Sequence, residues 1–304
     1  MLDIRLQLAT LGFGAGIIFM AWTGITWAQQ PAPPTPGPAG ASGGSGGRGR
    51  GGGFRPSDPI DFNDHTGFTQ IFDGATLTNW DGKPGVWRVE DGAIVGESTR
   101  ENPAGNTFII YRGAEARDFD LKLEMKVEIG GGSGIQYRSS VGPPQNAVGG
   151  RAGAAGASGS AGRAGGVPND PRWVMIGPQM DFWLPATGNS RIYTGQLYSQ
   201  NNSRGILSWR GEVTQLLPGK LPRLVGNIGD REELGGYQKV ADWNQLTMIV
   251  RGGMFLHILN GQLVAAMVDD DPASSNNVSG LIGLQIEGTP CKVFFRNIWL
   301  RKIS

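Results

Sequence analysis

Apolar and polar side chains alternate with a period of two through residues 118–138, DFDLKLEMKVEIGGGSGIQYR. Leu121, Leu123, Met125 and Val127 take turns with Lys122, Glu124, Lys126 and Glu128, the signature of a strand with one dry and one wet face. After the glycine run at 130–132 the alternation resumes, with Ile135 and Tyr137 on one side and Gln136 and Arg138 on the other. The pattern predicts an antiparallel pair showing Glu124, Gln136 and Arg138 on a common polar surface.

The same alternation recurs downstream. Over 173–183 it sets Met180 and Phe182 against Gln179, Asp181 and Trp183, and at 195–198 it turns Gln196 and Tyr198 the polar way. Residues 254–259, followed by Asn260-Gly261, predict a hairpin with Leu256 and Ile258 inward and His257 outward. A last hairpin puts Ile282, Leu284 and Ile286 inward and Gln285 and Glu287 outward. Asp91-Gly92 marks an early hairpin, whereas Pro218 and Pro222 argue against central strands across 209–237. No long stretch of helical periodicity follows residue 28. The expectation is an all-β domain of two packed sheets, with Leu121, Leu123, Met125, Ile135, Ile282, Leu284 and Ile286 between them.

Composition narrows the partners. The 304 residues hold 27 basic and 26 acidic side chains, so no charge excess recruits nucleic acid or an anionic membrane. A single cysteine rules out an internal disulfide, and no Cys/His cluster has zinc-site spacing. Residues 6–28 are apolar and uncharged, ending in Thr26-Trp27-Ala28, which reads as a secretory signal over 1–28. The alternative is an uncleaved membrane anchor, since the run is long enough to span a bilayer. Either way the expected location is periplasmic or secreted. Residues 29–60 form a Pro/Gly-rich tether, and 142–172 a Gly/Ala-rich loop insertion within a domain at 61–304; neither low-complexity segment has the apolar residues to dock.

FDGATLTNW, WRVEDGAIVG, DFDLKLEMKV followed by SGIQYRS, the Trp-Asn at 243–244, HILNG, and SGLIGLQIE followed by VFFRNIWLRKI occur in order from 68 to 303. This ordered set resembles the 3-keto-disaccharide hydrolase domain family. The resemblance implies a concanavalin-like jelly roll of two curved antiparallel sheets with a carbohydrate cleft on the concave sheet. It also implies an extracytoplasmic enzyme acting on 3-keto-glycosides supplied by a partner sugar 3-dehydrogenase. A ketone at C3 acidifies the C2 proton, so a base can remove it, the glycosidic oxygen leaves from C1, and water adds back. Such a route needs a base, an acid and a polariser of the ketone, in place of the two flanking carboxylates of ordinary glycosidases.

The polar row supplies candidates for each role. Glu124 or His257 is the candidate base. Gln136, Arg138, Gln179 and Gln285 are candidates to hold hydroxyls and the enolate, Asp181 to share a sugar diol, and Tyr198 or Trp183 to stack on a pyranose. Arg138 equally suits a cross-strand ion pair with Glu124. Glu287 stands where members of the resembled family often carry His, and Ile258 where they carry Trp. A divalent ion held by His257, Asp181, Glu124 and Glu287 is a further candidate polariser. The competing function is a noncatalytic glycan-binding module using the same row; an ordinary glycosidase lacks the expected Glu-x-Asp-x-x-Glu cluster on one strand.

Overall fold

The computed structural model describes residues 57–143, 169–184, 193–202 and 204–303. The expectations for the signal, for all but the end of the tether, and for the centre of the Gly/Ala-rich insertion lie outside these residues. In chain order the strands are β1 Thr69–Gln70, β2 Trp80–Gly82, β3 Trp87–Glu90, β4 Ala93–Ser98, β5 Thr107–Ala116, β6 Phe119–Ile129, β7 Gly132–Val141, β8 Met175–Trp183 and β9 Leu197–Gln200. They continue with β10 Gly205–Ser208, β11 Glu212–Leu216, β12 Arg223–Asn227, β13 Asn244–Arg251, β14 Met254–Leu259, β15 Gln262–Asp269, β16 Gly280–Ile286 and β17 Cys291–Lys302. Among the described residues one short α-helix, α1 Arg231–Gly235, interrupts them, capped by Asp230.

Two sheets result. The larger runs β12-β11-β15-β14-β13-β6-β17-β4-β3, with β1 also on β17, and the smaller runs β10-β9-β8-β7-β16-β5-β2. Every pairing is antiparallel except β11 with β15. The alternating apolar residues meet between the sheets: Leu121, Leu123, Met125, Ile135, Ile282, Leu284 and Ile286 are all fully buried in one cluster. Each such side chain contributes about 1.5–3 kcal/mol of transfer free energy. This is the jelly-roll sandwich that the alternation and the resemblance predict.

Pairing differs from the expectation at the central stretch. β6 lies between β13 and β17, while β7 lies between β8 and β16 in the other sheet. The glycine run is therefore a crossing between sheets. Gly131 has φ +93°, and a Cβ there would sit 2.3 Å from the Glu287 carbonyl, so the crossing admits no side chain. The 209–237 region also holds more order than its prolines suggest. Pro218 and Pro222 fall in the connection between β11 and β12, so neither strand loses a ladder donor to them. The Asp91-Gly92 and Asn260-Gly261 turns have positive φ at both residues, as two-residue hairpins require.

Candidate active site

The outward face of the smaller sheet carries an apolar cluster of Phe108, Ile110 and Met175 and, beside it, a polar row whose parity follows from what is buried beneath it. Ile135 and Tyr137 of β7, Met180 and Phe182 of β8, Leu197 of β9 and Ile282, Leu284 and Ile286 of β16 belong to the core. Gln136, Gln179, Asp181, Trp183, Tyr198 and Gln285 consequently point the other way. Register aligns them in rows across the strands. Gly283, Gln136, Gln179 and Tyr198 form one row; Gly134 and Asp181 begin the next; Glu287, Gly132 and Trp183 make the third.

β7 gives no side chain to the second and third rows, and its neighbours fill the space. A Cβ on Gly134 would lie 2.3 Å from Gln179 Nε2, and one on Gly132 would lie 2.4 Å from the Trp183 ring. The Gln179 amide and the Trp183 indole thus rest on bare backbone. Asp181 on β8, in the second row, and Glu287, just past β16 in the third, lie diagonally across this strand, their backbones about 12 Å apart from two interstrand spacings and one two-residue step.

A chain of amides joins the two carboxylates. Asp181 accepts from Gln179 Nε2 at 2.8 Å and from Gln196 Nε2 at 2.6 Å. Gln179 Nε2 also donates to Gln285 Oε1 at 2.7 Å, and Gln285 Nε2 donates to Asn106 Oδ1 at 3.0 Å and Glu287 Oε2 at 3.4 Å. None of these six residues is more than 4% exposed. Burial, opposed by the two amide hydrogen bonds, raises the Asp181 pKa to about 7. Burial, reinforced by the Asp181 charge, raises that of Glu287 to about 8. Both carboxyls therefore hold protons into the neutral range, and the charge of one opposes ionisation of the other, so near neutral pH the pair suits a base working with an acid.

Four buried polar atoms here have no hydrogen-bond partner among the described residues: Oε1 of Gln136, Gln179 and Gln196, and Nδ2 of Asn106. Each unmade bond costs about 1–3 kcal/mol, so their concentration on one face marks a surface shaped for a hydroxyl-rich ligand. A separate cleft of about 320 Å³ opens among Ser139, Ser140, Ile176, Ser279 and Leu281. It contains neither carboxylate, and the candidate site is placed where buried titratable and unpartnered groups converge.

Residues 67–301 match the 3-keto-alpha-glucoside-1,2-lyase-like domain. The chain belongs to this family. A 3-keto-disaccharide hydrolase of Bacteroides thetaiotaomicron is 33% identical over 84 residues, which is 24% of this chain and 28% of that protein. A Parabacteroides distasonis protein provisionally named a glycosyl hydrolase superposes with a TM-score of 0.45 at 18% identity, over 82% of this chain and 100% of its own. A Bacillus subtilis protein of unknown function with a galectin-like fold superposes with a TM-score of 0.45 at 9% identity, over 77% and 94%.

In this lyase-like domain Gln136, Gln179, Asp181, Trp183, Tyr198, Gln285 and Glu287 share one face, and three residues expected beside them stand elsewhere. Glu124 lies on the outer face of the larger sheet, accepting from Arg296 Nε at 2.8 Å and Asn297 Nδ2 at 2.7 Å. Its strand belongs to the other sheet, so outward parity carries it to the opposite side of the molecule. His257 is fully buried between the sheets, because Phe255 and Leu259 are the core residues of β14 and fix its phase. Its Nδ1 faces the Gly195 carbonyl at 3.1 Å and its Nε2 the Tyr137 hydroxyl at 2.7 Å. A carbonyl only accepts, so Nδ1 carries the proton and Tyr137 donates to Nε2. Burial lowers the His257 pKa to about 4, and the neutral ring fits the core.

Arg138 leaves the row because the β7–β8 register slips between Gln136 and Ser140, and Arg138 itself has φ +47°. Its buried guanidinium donates to the carbonyls of Arg117, Gly252 and Asn276 and pairs with Asp118 at 2.9 Å. It ties loops together and has no donor directed at the polar row. The expected ligand set of His257, Asp181, Glu124 and Glu287 is therefore not assembled, only Asp181 and Glu287 sharing a face. Two members of the amide chain fall outside the set expected from sequence. Gln196 has the polar parity of Tyr198, a signal present in the sequence; Asn106 ends an irregular loop, where periodicity gives no guidance.

Proposed function

We propose that this domain cleaves 3-keto-glycosides by β-elimination, with Asp181 as base and Glu287 as acid. The observation that carries the reading is the buried Asp181–Glu287 pair facing across Gly132 and Gly134. The Asp181 carboxylate takes the C2 proton, and the electron pair is delocalised onto the C3 oxygen as an enolate. When the carbonyl re-forms, C1=C2 is made, the C1–O bond breaks, and the departing oxygen takes the proton of Glu287. Water then adds: the ionised Glu287 takes one of its protons as its oxygen bonds C1, and Asp181 returns its proton to C2, giving the free 3-keto sugar and restoring both carboxyls. A base of pKa about 7 is stronger than an ordinary carboxylate, and an acid of about 8 still holds its proton at neutral pH. Trp183 offers an aromatic platform at the third row, next to the departing group.

The reading requires an oxidoreductase that makes the C3 ketone, so a sugar 3-dehydrogenase is the expected partner. The apolar run at 6–28 supports export or anchoring of the domain outside the cytoplasm. The test is a matched pair of substrates, a 3-keto-glucoside and its unoxidised parent, given to the purified protein. Release of the aglycone from the oxidised member alone is the expected result. Equal cleavage of both would indicate an ordinary glycosidase, and binding of both without turnover would indicate a glycan-binding module.

A further inference from the structure

We infer that Asn106 donates a hydrogen bond to the ketone oxygen of the substrate, and that the amide chain running from Asp181 to Asn106 decides which way round the sugar sits. The inference rests on the elimination reading and adds to it an electrophilic residue and an orientation.

The argument starts at Asp181, whose ionised carboxylate can only accept. Gln179 and Gln196 must each turn an NH2 towards it. The second hydrogen of Gln179 Nε2 reaches Gln285 Oε1, so Gln285 must turn its own NH2 the other way, to Asn106 Oδ1 and Glu287. Asn106 is then left with Nδ2 unpartnered and 2% of its surface exposed. Reversing any one of these amides would set donor against donor or acceptor against acceptor, so the charge on Asp181 fixes the polarity of the whole run. Acceptors are left free beside Asp181, at Gln179 and Gln196, with Gln136 Oε1 in the adjoining row. A donor is left free at the far end.

A ligand satisfying this surface presents several hydroxyl donors to one side and a group that accepts to the other. A 3-keto-glycoside does so when its carbonyl faces Asn106. A C3 hydroxyl in the same place has only the Glu287 carboxyl to take its hydrogen, and that group already accepts from Gln285, whereas a carbonyl oxygen needs only the donor that Asn106 has free, so the end of the chain favours ketone over alcohol. Asn106 and Glu287 both lie against one Gln285 nitrogen, which puts the donor for the C3 oxygen next to the donor for the C1 oxygen. Asp181, across β7, then faces C2 between them. The Asn106 bond strengthens as charge grows on the enolate oxygen, so its contribution falls on the transition state.

The test compares wild type with Asn106→Asp, which keeps the shape and exchanges the donor for an acceptor, and with Asn106→Ala. Initial rates on a nitrophenyl 3-keto-glucoside give kcat and KM, calorimetry gives affinity for the unoxidised parent, and melting temperature controls for folding. Loss of one oxyanion donor costs about 10²–10³ in kcat, so both variants should lose that much with KM changed by no more than about threefold, as expected of transition-state stabilisation. Asn106→Asp should also bind the unoxidised parent more tightly than wild type does, because a carboxylate accepts from the C3 hydroxyl; a merely structural role would not improve any binding. Variants with kcat near wild type would overturn the role of Asn106 alone, as would equal weakening of oxidised and unoxidised ligands in both. A wild type inactive on the keto substrate would overturn the elimination reading and this inference with it.

Discussion

Burying a carboxylate with no cation beside it disfavours the ionised form, and Glu287 carries the larger shift of the pair, from the ordinary 4.5 to about 8. Between those values the folded protein holds a proton that the unfolded chain has released. Its contribution to stability is therefore intact below pH 4.5 and is lost as pH rises towards 8. Glu287→Gln removes the penalty, so its melting temperature should exceed that of wild type at pH 8 and match it near pH 4.5. An offset that does not vary with pH would contradict the assignment. Residue parity was legible where strands are regular, as at Gln179, Asp181 and Gln285. It failed where a single bulge turned Arg138 into the loops, and where a neutral imidazole, satisfied by Tyr137 and Gly195, took a core position that polarity alone assigns to solvent.

At the scale of elements, β7 does its work through residues that have no side chain. Gly134→Ala would drive a Cβ to 2.3 Å from Gln179 Nε2 and push the amide off Asp181. Overpacking of this kind costs about 1–3 kcal/mol, roughly 2–4 °C of melting temperature per kcal/mol for a domain of this size. Turnover should fall at least tenfold, whereas Gly142→Ala, with nothing within 4 Å of its Cβ, should change neither quantity. Unchanged activity in Gly134→Ala would show that the bare strand is not needed. Alternation identified β6 and β7 as strands but is silent on partners, which is why a crossing between sheets read as a hairpin. Pro218 and Pro222 misled for a related reason: they exclude a strand where they stand and say nothing of the strands that end before and begin after them.

Across the whole molecule, one apolar interior supports two polar faces with different contents. The face of the larger sheet spends its charges on one another, Glu124 with Arg296 and Asp120 with Arg251 and Arg301. That of the smaller sheet holds two carboxylates with no cation partner among the described residues and several amides left incomplete. The two-layer architecture was readable because sandwich strands alternate cleanly; which outer face carries the chemistry depends on strand order, which no local pattern encodes. The central claim is that Asp181 removes the C2 proton, and the direct measurement is proton–deuteron exchange at C2 of a 3-keto-glucoside in D2O, followed by NMR. Wild type, Glu124→Gln and Glu287→Gln should all introduce deuterium at C2, Glu287→Gln with slow release of poor leaving groups, while Asp181→Asn should slow exchange by about 10²–10⁴. Exchange at the wild-type rate in Asp181→Asn, or its loss in Glu124→Gln, would contradict the account.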